Sequence, residues 1–192
     1  AIALNNLAWL YHLKKDPRAR TMAQKAWLLA PSPHIADTLG WLLHRKNDSR
    51  AALPLLGEGP VMTLNSDAVW TGQNPLSQLA AQWDPERMDA LLLLLPVGQA
   101  TGHKGTGDFL IGADGRIARA KGAPGLVYLG AQILRCEGLA GVDRTVFSLN
   151  ILWDEMIGRG RAFGIVHQGG WCDVGRPEGI AEAEAMLEAG HV

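Results

Sequence analysis

Cysteine is nearly absent from this chain, with only Cys136 and Cys172 among 192 residues. They stand far apart, without a C-x-x-C spacing or an adjacent histidine cluster, which excludes a disulfide framework and a thiolate zinc site. Two partly buried thiols in a reducing cytoplasm are expected instead. Charge is thin too: 19% of residues are charged, the net charge is -1 and there is no long basic run. Counterion-release binding to nucleic acid therefore has no surface to drive it, and anionic membranes have nothing to attract. The longest aliphatic run, Ala90 to Leu95, is closed by Pro96, far short of the roughly 20 residues that cross a bilayer. It reads as a buried strand. The opening stretch Ala1–Leu13 is apolar but contains Asn5, Asn6 and His12, and it lacks a basic leader or small-residue cleavage site, so no signal peptide is expected. None of the histidines (His12, His34, His44, His103, His167, His191) shares a paired spacing with another, and Ser148 lacks a nucleophile's setting, so none is given a catalytic role. Without an initiator methionine the sequence reads as a piece of something longer.

What is present is an ordinary globular composition, 47% hydrophobic, sufficient for one or two small domains. The first third is helical and internally repeated. Leu7-Ala8-Trp9-Leu10-Tyr11 returns as Leu39-Gly40-Trp41-Leu42-Leu43, and Asp16, Arg18 and Ala19 return as Asp48, Arg50 and Ala51, at a common offset of 32 residues. Apolar residues in each unit fall at helical spacing, and small Ala8 or Gly40 marks where a partner helix must approach closely. With Ala26, the Leu28-Leu29-Ala30-Pro31 ending and the restart after Pro33, residues 1–50 resemble a pair of tetratricopeptide repeats. The resemblance implies stacked helix pairs and a surface for a protein partner. The departures are a period shorter than that family's usual one and Pro54, which would break the second unit's B helix about one turn after it begins. About three such repeats are needed for independent stability, so two should not stand alone. Trp9, Trp27 and Trp41 read either as the lining of a peptide groove or as packing residues.

From about Arg50 the pattern changes to short apolar runs separated by glycine and proline turns, an α/β pattern. The boundary is expected between Asn47 and Gly59, giving a helical segment over 1–50 and an α/β domain over 51–192. Pro60–Leu64 reads as a buried strand, Pro75–Gln82 as a short helix and Ala90–Leu95 as a second buried strand, consistent with parallel packing. Phe109–Ile117 reads as two strand ends around the turn Ala113-Asp114-Gly115, and Leu126–Ile133 as a strand. A helix over Ser148–Gly158, a strand over Ala162–His167 and a helix from Pro177 to about Ala189 complete the reading. Pro177 and Gly190 supply the last helix's start and stop signals.

Two aspartate motifs carry the chemistry. Asn65-Ser66-Asp67 closes the run Pro60-Val61-Met62-Thr63-Leu64, and an Asp just beyond a strand of an open α/β sheet is placed to hold Mg²⁺ against phosphate oxygens. Its alternative is a turn or helix cap. Trp171-Cys172-Asp173-Val174-Gly175, followed by Arg176-Pro177-Glu178, sets a second carboxylate on a strand-to-helix connection; its alternative is an N-terminal helix cap. In this order, and with Asp89-Ala90-Leu91-Leu92-Leu93, Gly107-Asp108-Phe109, Tyr128-x-Gly130 and Phe147-Ser148-Leu149, residues from about 50 to 189 resemble the C-terminal part of the sugar-1-phosphate nucleotidyltransferases. The similarity is greatest to the branch of N-acetylmuramate-1-phosphate uridylyltransferases and mannose-1-phosphate guanylyltransferase-like proteins.

The resemblance implies a truncated doubly wound α/β sheet and transfer of a nucleotidyl group from a nucleoside triphosphate to a sugar 1-phosphate, with release of pyrophosphate. It makes Asp67 and Asp173 the catalytic, Mg²⁺-holding residues and sets Asn65, Gly107, Asp108 and Gly130 against the substrate. On local grounds Gly107 reads equally as a turn and Gly130 as a close strand crossing. The family's glycine-rich, basic phosphate loop has no counterpart upstream of Asp67, and Arg45, Lys46 and Arg50 read as solvated helix-end charges. Weak activity or none is therefore expected of this chain alone. Loss of the first strands should also leave open sheet edges. A recombined gene with its crossover near Arg50–Leu56 fits both halves. The alternatives are a protein-interaction module whose repeat helices matter and whose α/β part is vestigial, and an enzyme completed by another chain or a different phosphate site, which requires the Asp67 and Asp173 carboxylates to lie close together.

Overall fold

The computed structural model describes residues 1–44, 55, 59–142 and 147–189. The chain divides into two compact units, residues 1–59 with 136–147 and residues 60–135 with 148–192. Arg45, Lys46, Arg50, the Asp48–Ala51 half of the repeat, Pro54, the Arg50–Leu56 crossover apart from Leu55, Gly190 and His191 lie outside the described residues.

The first unit is built on α1 (Ile2–Leu13), α2 (Arg18–Leu29) and α3 (Pro33–His44). The helices meet over small side chains: Ala8, Ala23 and Ala26 are fully buried, and Leu39, Leu42 and Leu43 pack against this seam. Ala8 thus sits at a close approach, as its place in the repeat predicts. Among the described residues, a Cβ on Gly40 would meet Leu55 Cδ1 at 4.0 Å. The α1–α2 turn is specific. Lys15 takes a left-handed φ of 55°, while the Asp16 carboxylate accepts from the Arg18 backbone N–H at 2.9 Å and from its guanidinium. The Arg18 partner holds the Asp16 carboxyl down at about 2, and the guanidinium also lies over the Tyr11 ring.

The second unit is the α/β part. Its elements are β1 (Pro60–Leu64), β2 (Ala68–Trp70), α4 (Pro75–Gln82), β3 (Ala90–Pro96), β4 (Ala100–Thr101), β5 (Phe109–Ile111), β6 (Ile117–Arg119), β7 (Leu126–Arg135), α5 (Asn150–Gly158), β8 (Ala162–Val166), β9 (Trp171–Asp173) and α6 (Pro177–Ala189). Strands β6-β5-β7-β3-β8 form one sheet with β1 also on β7, and β2-β9-β4 form a second, smaller sheet. Every residue from Ala90 to Leu95 is fully buried. Leu91, Leu93 and Leu95 join Leu79 of α4, Leu129, Ile133 and Phe163 in the core. Each buried leucine contributes about 2 kcal/mol of apolar burial, so this six-residue run is the sheet's anchor.

Two expectations need correction. The large sheet is mixed: β3 pairs parallel with β8 but antiparallel with β7. A continuous apolar run reports burial on both faces, not direction, so Ala90–Leu95 could not distinguish the two. Pro60–Leu64 is a strand but not a buried one, since Met62 and Leu64 are 49% and 46% exposed. Its alternate residues face outward, and it pairs only with β7 among the described residues.

Candidate functional site

The second sheet brings the two aspartate motifs together. β2 and β9 are antiparallel, with Ala68 opposite Asp173 and Trp70 opposite Trp171. That register places Asp67, just before β2, beside Val174, whose N–H donates to the Asp67 carbonyl at 2.9 Å. The side chains converge as well. A Cβ placed on Gly175 would lie 3.0 Å from Asp173 Oδ1 and 3.5 Å from Asp67 Oδ2, so both carboxylates border the same small space. Asp173 Oδ1 also accepts from Gly175 N–H at 2.8 Å. The carboxylate therefore braces the loop ahead of α6, and among the described residues its other oxygen has no hydrogen-bond partner. Neither aspartate enters an ion pair among the described residues. No group of three or more His, Cys, Asp or Glu side chains suited to a metal occurs there either.

The remaining candidates gather on three residues of β7. β5 meets one edge of β7 at Leu126 and β1 meets that edge from Ala131 to Arg135, while β3 lies along the other. Between β5 and β1, Asp108 Oδ2 accepts from Tyr128 N–H at 2.9 Å, and the Gly130 carbonyl accepts from Asn65 N–H at 2.8 Å. Trp171 of β9 adds an indole N–H donated to the Leu129 carbonyl at 3.1 Å. Asp108, the strand carrying Asp173 and Asn65 are thus tied to Tyr128, Leu129 and Gly130 in turn. Burial pushes the Tyr128 phenol far above its usual range, opposed by a hydrogen bond with Thr63.

Both predicted glycines have conformational reasons. Gly130 has φ +82°, and its missing Cβ would fall 2.6 Å from Asn65 Cγ, so the Asn65 side chain lies directly on it. Gly107 has φ +98° and crosses the Gly125 backbone, which a Cβ would strike at 2.5 Å. A close backbone crossing is therefore the local reason for Gly107, and the overlying Asn65 side chain that for Gly130.

Several contacts around the two aspartates could not be read from the sequence. Arg176 donates to the Gly102 carbonyl at 3.0 Å, fastening the loop after Asp173 to the end of β4. Buried Gln78 and His167 lie behind β2 and β9, with Gln78 Nε2 2.9 Å from His167 Nδ1. Burial lowers the His167 pKa, against opposing contacts with the Thr71 and Gly170 backbone. Burial also raises the Cys172 thiol, helped by nearby Glu182 and Asp173.

In the helical unit Trp9 and Trp41 are each 43% exposed, whereas Trp27 packs on the core. A cavity of about 470 Å³ is bordered by Asn5, Trp9, Leu10, His34, Asp37 and Thr38. Of the three tryptophans, only Trp9 lines it. No helix among the described residues is long and apolar enough to cross a membrane.

No model of a known protein family matches the chain. Individual proteins do. The N-acetylmuramate α-1-phosphate uridylyltransferase of Caulobacter vibrioides is 38% identical over 173 residues, covering 88% of this chain and 72% of its own length. That of Neisseria meningitidis is 30% identical over 140 residues, covering 72% of this chain and 59% of its own length. Among solved structures, UTP-bound UGPase from Acinetobacter baumannii superposes with a TM-score of 0.55 at 15% identity, covering 77% of this chain and 57% of that one. This last likeness concerns the fold, and it agrees with the mixed α/β architecture described above. At 38% identity across 72% of the Caulobacter enzyme, the chain belongs to the N-acetylmuramate α-1-phosphate uridylyltransferase family of sugar-1-phosphate nucleotidyltransferases.

Proposed function

We propose that the α/β unit holds the metal-side half of a uridylyl-transfer site, with Asp67 and Asp173 as its catalytic pair and N-acetylmuramate 1-phosphate and UTP as its substrates. The observation that carries this reading is the convergence of two carboxylates, from separate motifs, on the space beside Gly175. The choice of sugar and base rests on what the two relatives are named for.

The donor set fits a hard dication: carboxylate oxygens without a cationic partner, one of them still uncommitted after bonding Gly175 N–H. When bound, Mg²⁺ would neutralise phosphate charge and align the reacting groups. Everything else falls to the chain's own residues. A sugar phosphate oxygen attacks the α-phosphorus in line and pyrophosphate leaves, so positioning is the protein's main contribution. Asn65, Asp108 and Gly130 border the stretch of β7 between β5 and β1 where the sugar would lie, with the Asn65 side chain resting on Gly130 and Gly107 crossing Gly125 just ahead of the strand. The triphosphate has a weaker seat. The glycines before Asp67 are Gly40, Gly57 and Gly59, none in a basic glycine-rich loop. UTP should bind weakly and turnover should be slow or absent.

Calorimetry of UTP with Mg²⁺ tests this on the whole chain, with Asp67→Ala and Asp173→Ala beside the parent. Saturable binding that both substitutions abolish supports the reading; binding that survives both, or none in a folded parent, rejects it. Conversion of N-acetylmuramate 1-phosphate to its uridine diphosphate derivative, followed by phosphate chromatography, then separates an active site from a binding remnant.

The cavity beside Trp9 favours a second role, as a protein-interaction module for the repeat-like helices. Binding of a partner protein that Trp9→Ala abolishes while Mg²⁺-dependent UTP binding stays intact would support it, and a partner indifferent to that change would count against it.

A further inference from the structure

β2 and β9 are three residues long each, which is little pairing to fix a register, and a slip of one residue would turn Asp173 to the opposite face of the sheet. The restraint lies at the far ends of these strands. The loop leaving β2 and the loop entering β9 interlock there. Thr71 N–H donates to the Gly170 carbonyl at 3.0 Å, Gln73 N–H donates to the Gln168 carbonyl at 3.1 Å, and Gly170 N–H donates to Thr71 Oγ1 at 3.0 Å. The crossing is too close for any Cβ: one on Gly169 would fall 1.9 Å from the Thr71 carbonyl oxygen and one on Gly72 2.6 Å from that of Gln168.

One buried side chain holds both loops. Gln78 of α4 is 8% exposed. Its Oε1 accepts from Gln168 N–H at 2.9 Å, and its Nε2 donates to the Gln73 carbonyl at 2.9 Å and meets His167 Nδ1 at 2.9 Å. An amide nitrogen can only donate, so His167 Nδ1 is the acceptor and the ring proton sits on Nε2. The His167 ring meets that of Trp70 in a T-shaped contact with centroids 5.3 Å apart, and Trp70 meets Trp171, its partner in the β2–β9 register, at 6.4 Å. The line of contacts runs from Gln78 through His167 and the two tryptophans to Ala68 and Asp173.

We propose that Gln78, acting with His167, is the positioning residue of this site: its three hydrogen bonds lock the two loops, fix the β2–β9 register and so bring the Asp67 and Asp173 carboxylates together. It touches neither substrate nor metal. The inference rests on the reading of those carboxylates as one functional pair, and its test keeps the two separable.

The whole chain is compared with Gln78→Leu, which keeps the bulk and removes all three bonds, and with Gln78→Glu, which keeps the acceptor for Gln168 N–H. Three signals are read: Mn²⁺ affinity by electron paramagnetic resonance with Asp67→Ala as control, His167 tautomer by ring ¹⁵N shifts, and amide exchange without metal at Val174, Gly175 and β3. Gln78→Leu should weaken Mn²⁺ binding and speed exchange at Val174 and Gly175 by about tenfold each, the low end expected for three lost buried hydrogen bonds. It should also mix the His167 tautomers and leave Leu91–Leu94 exchange unchanged, with Gln78→Glu falling between parent and Leu. Values within about twofold of the parent overturn the proposal. So does an equal rise in exchange at β3, because Gln78 would then be an ordinary core residue. A parent that binds no Mn²⁺, or binds it equally after Asp67→Ala, defeats the metal reading alone, and the metal-free exchange then decides the role of Gln78. Should Gln78→Leu not fold, Gln78→Glu carries the same comparison.

Discussion

Two sets of aspartates in the α/β unit are treated in opposite ways. Asp89, 8% exposed at the start of β3, is enclosed by cations: Arg161 at 2.9 Å, Arg159 at 3.4 Å and Arg135 at 3.5 Å. Arg161 and Arg135 also donate to the Glu86 and Pro85 carbonyls, so the network ties the approach to β3 to the ends of β7 and α5. Among the described residues Asp67 and Asp173 have no such partner, and both border the space beside Gly175. Sequestering a carboxylate among arginines uses its charge for structure, whereas leaving two together and unneutralised is tolerable on a partly exposed loop and useful to a cation. An aspartate's surroundings, more than its conspicuousness in sequence, separate scaffold from site.

The sharpest way to break this contrast is Asp89→Ala. It strands three arginines around a vacated position, and since these are a third to a half exposed the cost should be about 2–3 kcal/mol, read from urea midpoints. A loss below about 0.5 kcal/mol would show the network to be decorative. Gly130→Ala comes next. It forces a Cβ onto Asn65 at a positive φ, costing about 1–3 kcal/mol and, by moving Asn65, weakening any sugar phosphate binding in calorimetry. A smaller effect separates the two regions by pH. Burial holds His167 below its ordinary value of 6.5, so the unfolded chain takes up that proton first. Stability is full above about pH 6.5 and declines as the pH falls from there through the lower folded value. Amide exchange, corrected for its intrinsic pH dependence, should therefore loosen at Trp171–Asp173 in mild acid before Ala90–Leu94 responds. The smallest stability change, within about 0.5 kcal/mol, is expected for Asp67→Ala and for Gly175→Ala, whose new methyl would stand between the carboxylates. Both should nevertheless remove Mg²⁺-dependent UTP binding, and a clear stability loss at Asp67 would erase the distinction from Asp89.

Legibility in the sequence followed the strength of the local signal. Pro75 and the apolar spacing of Leu76 and Leu79 announced α4, the Asp114-Gly115 turn announced the β5–β6 hairpin, and Ala90–Leu95 announced the central strand. β2, β4 and β9 went unseen because strands of two or three residues present no period to detect. Asp67 and Asp173 were singled out by their motifs, but their convergence depends on the β2–β9 pairing, which those motifs do not encode. Gln78 and His167 were beyond reach for the same reason. A glutamine on a helix and a lone histidine are unremarkable until the fold places them 2.9 Å apart. The outward face of Met62 and Leu64 was missed because Pro60–Leu64 is as apolar as a buried strand.

The interlock of Gly72 with Gln168 and of Gly169 with Thr71 also bears on when the site forms. Its partners are nearly a hundred residues apart, and closing so long a loop for two three-residue strands returns little until β3, β7 and β8 have already drawn the ends together. The carboxylate pair should therefore be a late product of folding. A chain halted just short of that event would possess its leucine core and its arginine-bound aspartate, yet its two loop carboxylates would still lie apart.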